Sequence, residues 1–197
     1  MAKGTKERIL TAALEMFSRN GYAGTNIREL TASLGLVKSS MYRHFDSKEA
    51  IWNALLDEMT VYYEERFGSP EHLPPVPDSL EALVSMTKHM AEITIRDEKI
   101  VMTRKLLMIE QFRDDRARDL ATKHFLTGLT DMFTRIFEGM MEKELLRRED
   151  PGMLAFAYTA PVTVLIHLCD REPERTDEVM ERIEAFSRHF MKIYGNK

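Results

Sequence analysis

The stretch TNIRELTASLGLVKSSMYRHFDSK, residues 25–48, leaves this chain little freedom in how it folds. Ile27, Leu30 and Leu34 recur at the three- and four-residue steps of a short helix, and Gly35 follows as a residue that turns left-handed at no steric cost. That ends the helix. A second helix from about Val37 to Phe45 puts Val37, Met41 and Phe45 on one face and leaves Lys38, Ser39, Tyr42 and Arg43 on the other. The outward face is therefore basic, hydroxylated and aromatic. Two short helices joined by a tight glycine turn form a helix-turn-helix, in which the second helix lies in a major groove.

The flanks fit this unit. Lys3 to Asn20 reads as a first helix with Ile9, Ala13 and Phe17 one turn apart, ended by Gly21. Thr25 or Asn26 then caps the second helix, with Glu29 placed as in a capping box. Thr25 can also offer its hydroxyl to a phosphate. Asp46-Ser47 caps a long connecting helix from about Lys48 to Arg66, where Ile51, Leu55, Met59 and Tyr62 form a stripe widened by Trp52 and Leu56.

The run RILTAALEMFSRNGYAGTNIRELTASLGLVKSSMYRHFDSKEAIWNAL resembles the N-terminal domain of the tetracycline-repressor (TetR) family. The order of features carries the resemblance: an apolar first helix ending in Phe17, Gly21-Tyr22, Thr25, the turn at Gly35, then Tyr42, Phe45 and Lys48. Val37 stands where the family most often has a serine that caps the reading helix, a loss on the order of 1 kcal/mol. Ser39 replaces a common glycine. A regulator that binds double-stranded operator DNA as a homodimer and is released by a small, largely apolar effector is expected; the alternative is a helical ligand-binding or protein-docking bundle without effector-controlled DNA release. The outward face of the reading helix is expected to make the DNA contacts, at Lys38, Ser39, Ser40, Tyr42 and Arg43, with Thr25 and Lys48 on flanking phosphates; the resemblance supplies the roles of Tyr42 and Lys48.

The rest of the chain is expected to be all-α, about nine helices in total, with residues 1–48 as the DNA-binding domain and 49–197 as a ligand-binding and dimerisation domain. GSPEHLPPVP, residues 68–77, reads as an ordered loop between helices, with a flexible linker as the alternative. Asp78 is the next N-cap candidate, Leu80, Leu83, Met86, Met90 and Ile93 form a helical stripe, and Asp97 starts another helix. Asp114-Asp115 reads as a charged turn, and a long helix runs from about Arg116 to Leu146. Met153 to Leu168, MLAFAYTAPVTVLIHL, is apolar almost all round and must be covered on every face, with Pro161 as an expected kink. These sixteen residues are too short and too polar for a membrane span, so the second cover is expected to be another protein surface. Val179, Ile183, Phe186, Phe190 and Ile193 make the stripe of a last helix. Phe156, Leu165, Phe186, Phe190 and Ile193 are the expected dimer contacts.

The net charge of −4 argues against a protein that coats nucleic acid generally. It hides an asymmetry: residues 1–48 hold eight Lys and Arg against four Asp and Glu, whereas the remainder holds twenty against twenty-eight. A basic head on an acidic body suits a protein that touches phosphate at one end. Residues 1–4 begin no apolar leader and no run reaches eighteen uninterrupted apolar residues, so a cytoplasmic location is expected. Cys169 is the only cysteine, the six histidines are scattered, and no glycine-rich phosphate loop, HExxH or GxSxG motif occurs, so neither enzyme chemistry nor a cofactor or metal site is indicated. Fourteen methionines are the remaining signal. They read either as a Met-rich core or as a pliable apolar pocket. The candidate ligand contacts are Trp52, Met86, Met90, Met102, Phe112, Phe125, Met132 and Phe133.

Overall fold

The computed structural model describes residues 4–69 and 72–196. Lys3, where the first helix was expected to begin, and Pro70 and Glu71 of the expected loop lie outside the described residues. Nine helices fill the described chain, and no strand accompanies them, only isolated bridges pairing Ser69 with His72 and Leu146 with Gly195. The helices are α1 (Thr5–Gly24), α2 (Ile27–Ser33), α3 (Lys38–Tyr42), α4 (Lys48–Phe67), α5 (Leu80–Arg96), α6 (Glu98–Glu110), α7 (residues 115–142), α8 (Pro151–Arg171) and α9 (Thr176–Tyr194). The all-α expectation holds.

Several boundaries differ from those read in the sequence. Gly21 does break the helical path of α1, non-helical at φ 72° and ψ 167°, and a short turn continues beyond this kink to Gly24. α3 is five residues long, followed by a turn, so Phe45 lies beyond it. Val37 is the N-cap of α3 and is 67% exposed, not part of the buried face with Met41. Ser79, rather than Asp78, caps α5 by accepting from Ala82 N–H at 3.1 Å. The long helix α7 ends at Glu142, not Leu146, and contains a π-helical turn over Lys123–Thr127. Asp97 does cap α6, accepting from Lys99 and Ile100 N–H.

The chain divides into two compact units, residues 1–63 with 102–121 and residues 64–101 with 122–197. The first holds α1 to α3, most of α4, the end of α6 and the start of α7, with Ile9, Phe17, Leu30, Met41, Ile51, Leu55 and Leu106 buried. In the second, α8 packs against the second half of α7, against α5 and against α9, while α9 also packs on α5. Its core stacks Phe133, Phe137, Tyr158, Phe186 and Phe190 with ring centroids 4.8–6.0 Å apart. Tyr158 is fully buried there because its hydroxyl is satisfied: it donates to Ser187 Oγ at 2.9 Å and lies 2.7 Å from Thr87 Oγ1. Gly139 is required by a close approach, since a Cβ would meet Val76 at 2.7 Å.

α8 is long and apolar enough to cross a membrane by length and composition, with a mean hydropathy of 1.6 over its most apolar stretch. Its placement is that of a core helix. Leu154, Ala155, Tyr158, Val162, Ile166 and Cys169 turn into the second unit, and Asp150 caps its start by accepting from Met153 N–H. One face stays uncovered: Met153, Phe156 and Val164 are 60–68% exposed and recur at helical spacing. The helix continues through Pro161.

The π turn places the His124 ring inside the second unit, 2% exposed. Burial first, then the neighbouring Lys123, lowers its pKa to about 4, with Glu64 opposing. The folded state thus excludes a proton that the unfolded chain takes up below about pH 6.5, so stability present at pH 7 is lost as pH falls from there through about 4. We expect this group alone to remove roughly 3 kcal/mol over that window. Urea unfolding of wild type and His124→Gln at pH 7 and 4.5 checks it: the variant shows the shallower loss.

Candidate nucleic-acid interface

The helix-turn-helix is built from local bonds. Asn26 caps α2, its Oδ1 accepting from Arg28 N–H at 2.8 Å. At the far end Leu34 and Leu36 N–H both donate to Thr31 O, Gly35 N–H donates to Ala32 O, and Gly35 takes φ 64° with open space around it. Backbone conformation alone therefore calls for glycine there. Arg8 from α1 donates to Leu34 O at 3.3 Å. α3 starts without a side-chain cap, as Val37 dictates, and its first turn is closed by Ser40 N–H to Val37 O.

Lys38, Ser39, Tyr42 and Arg43 are all exposed on α3 and its C-cap, with Ser40 half-buried beside them. The Arg43 guanidinium donates to Ser40 Oγ at 2.6 Å and the Lys38 ammonium lies 5.6 Å from the Tyr42 ring, so both cations are held along the helix surface. Thr25 differs: it is buried, and its hydroxyl donates to Gly21 O at 3.0 Å. Lys48, in the first turn of α4, sits 4.3 Å from the Tyr22 ring and 6.0 Å from that of Phe17. Partial burial lowers its pKa while Glu110 opposes the shift.

Behind these residues Phe17, Tyr22 and Trp52 meet in an aromatic cluster with centroids 5.2–5.9 Å apart. Trp52 is buried and donates through Nε1 to Asp114 at 3.1 Å, so it belongs to the first unit's packing. The other candidate ligand residues are distributed over both units. Met132 and Phe133 lie in the core of the second, with Met86 and Met90 packed against that core. Phe125 lines a shallow apolar groove of about 490 Å³ with Leu126, Thr130, Phe156 and Val164. Met102 is half-buried in the first unit, and Phe112 there is 89% exposed. Among the expected dimer contacts, Phe156 and Ile193 are exposed, Leu165 and Phe186 pack partly on the second unit's cores, and Phe190 lies inside one. Glu110 and Asp114 were not singled out in the sequence as partners of the head, because nothing local in a helix-end glutamate and a turn aspartate points to residues sixty to ninety positions earlier.

The fold and this surface define an all-helical protein headed by a helix-turn-helix. Residues 9–55, the helix-turn-helix and its flanking helices, match the family model described as bacterial regulatory proteins, tetR family. The transcriptional regulator UidR of Escherichia coli K12 is 34% identical over 87 residues, 44% of this chain and 44% of that protein. AcrR of Shigella flexneri is 26% identical over 114 residues, 54% of this chain and 47% of its own. Each match thus spans less than half of the relative's length. The fold is shared along nearly the whole chain with SmeT, described as the repressor of the Stenotrophomonas maltophilia multidrug efflux pump SmeDEF, at TM-score 0.68 and 21% identity, covering 99% of this chain and 92% of that one.

Proposed function

We propose that this protein is a DNA-binding transcriptional regulator, a repressor that works as a homodimer and leaves its operator when a small, largely apolar effector binds. The observation that carries the DNA-binding reading is the exposed, cationic and hydroxylated surface of α3 on a helix-turn-helix of the tetR family. Lys38, Ser39, Ser40, Tyr42 and Arg43 meet the groove and its walls, while Lys48 lies by a flanking phosphate. Thr25, with its side chain buried, contributes by fixing the α1–α2 turn. The dimer reading is carried by the uncovered stripe Met153, Phe156 and Val164, since burying such side chains against a partner contributes about 1.5–3 kcal/mol each. A symmetric pair then requires an operator with two related half-sites.

Arg43→Ala is expected to weaken a preferred duplex about tenfold more than random DNA. Lys48→Ala should weaken all duplexes alike and reduce the slope of log affinity against log salt by about 0.9. Duplexes selected from a random pool, titrated at several salt concentrations, decide this: wild-type behaviour in both variants removes the assignment. For the dimer, Val164→Glu is expected to give a monomer by sedimentation with its helicity retained, and a monomeric wild type at micromolar concentration ends that reading.

The effector reading rests on the family resemblance. Release requires the effector to prefer one conformation, and a tenfold loss of DNA affinity corresponds to about 1.4 kcal/mol of coupling. Trp52, the only tryptophan, reports on the head because it is held by Asp114 against Phe17 and Tyr22. Titration with apolar and cationic aromatic compounds should change Trp52 emission and duplex affinity together; compounds that bind without altering affinity leave the regulator without this switch.

A further inference from the structure

Glu110 occupies an unfavourable position. It is the last residue of α6, where the helix dipole presents its negative end, and its side chain is only 3% exposed. Burying a carboxylate there is costly unless it is hydrogen-bonded and paired. Its Oε1 accepts the Tyr22 backbone N–H at 2.8 Å, and its charge acts on the Lys48 ammonium. The approach is tight. A Cβ at Gly21, already at φ 72°, would lie 2.8 Å from the same Oε1. The backbone angle calls for glycine at position 21, and a Cβ there would also push the carboxylate off this position.

Tyr22 is not an arbitrary anchor. Its carbonyl accepts from Thr25 N–H at 3.3 Å, the Thr25 hydroxyl closes back on Gly21 O, and the next residue, Asn26, caps α2. Each bond passes the position of the Gly21-Tyr22 peptide to the first turn of α2, and α2 carries α3 through the Gly35 turn. Four residues beyond Glu110, Asp114 holds Trp52 with one oxygen and caps the start of α7 with the other, accepting from Ala117 N–H at 2.8 Å. The 110–114 segment therefore grips the head at two points, one on its backbone and one on its aromatic cluster.

We propose that Glu110 is a positioning residue for DNA reading: without touching DNA, its carboxylate oxygen fixes the α1–α2 turn and through it the pose of α2 and α3. The role rests on the DNA-binding reading above, and it predicts a pattern among substitutions. Glutamine keeps an oxygen acceptor at the same reach, aspartate keeps the charge but withdraws it by one methylene, and alanine removes the acceptor.

The test measures binding of the full-length variants to a duplex that wild type selects from a random pool, with urea midpoints measured alongside. Glu110→Ala should lose at least tenfold in affinity while keeping the wild-type salt slope, because no phosphate contact is removed. Glu110→Gln should recover most of that loss, and Glu110→Asp should not. If alanine prevents folding, the order of glutamine above aspartate still decides the matter. Glu110→Ala binding within twofold of wild type, aspartate equal to glutamine, or a loss matching only the unfolded fraction each overturns the positioning role. If wild type enriches no duplex at all, the DNA-binding reading itself fails and this role falls with it; a wild type that binds while the variants rank wrongly removes the positioning role alone.

Discussion

The hydrogen bond from the Tyr22 N–H to the buried Glu110 carboxylate ties the α1–α2 turn to α6 across 88 residues of sequence. Helix-turn-helix units are short, and α2 and α3 have seven and five residues, too few to hold their own geometry as isolated helices. Their shape must come from tertiary contacts. Leu30, Met41 and Phe45 supply buried apolar surface, which holds them in the unit but is non-directional. Direction comes from polar bonds of fixed geometry: Arg8 on the carbonyl of the α2 C-cap Leu34, Asn26 on the first turn of α2, and Glu110 on the turn before it. A buried carboxylate is a poor source of net stability and a good source of specified position.

Lys48 shows how the same contacts constrain the cationic surface. An ammonium above the faces of Tyr22 and Phe17, with Glu110 nearby, is held by attractions from below, and its partial burial weakens the charged form while the carboxylate restores it. Lys38 and Arg43 are likewise drawn to Tyr42 and Ser40. Long flexible cations normally lose much rotamer freedom when they meet phosphate. On the proposed DNA-binding reading, part of that loss is already incurred in the free protein.

Residues 25–48 were legible because their information is local. Three- and four-residue apolar steps, one glycine and a cap candidate suffice to write helix, turn, helix, and the structure returns them at nearly the expected positions. The misreading of Val37 has a local cause as well: spacing placed it on the face of Met41, but the helix begins one residue later, and an N-cap residue in extended conformation points its side chain away. Glu110 and Asp114 were illegible for the opposite reason, since their partners Tyr22 and Trp52 are 88 and 62 residues distant. The methionines divide by the same rule. Periodicity marks a side chain as facing inward, yet inward is core for Met132 and Met140 and only half-buried for Met86 and Met102. That difference depends on which helices arrive opposite, information no single segment contains.

α8 carries this argument one step further. A helix apolar on all faces invites three covers: lipid, the rest of its own chain, or another chain. Its own unit covers the face of Leu154, Tyr158, Val162 and Ile166, and Tyr158 among them is placed by hydroxyl bonds to Thr87 and Ser187. A lipid-facing helix gains little from such a polar anchor on its buried side, whereas a core helix gains register from it. The face of Met153, Phe156 and Val164 then remains uncovered at helical spacing. Exposed Ala157 and Pro161 lie beside that stripe, so the uncovered face is wide enough to take a second helix. The geometry of the uncovered face thus favours a protein cover, and symmetry makes a second copy of the same stripe the simplest surface to match it.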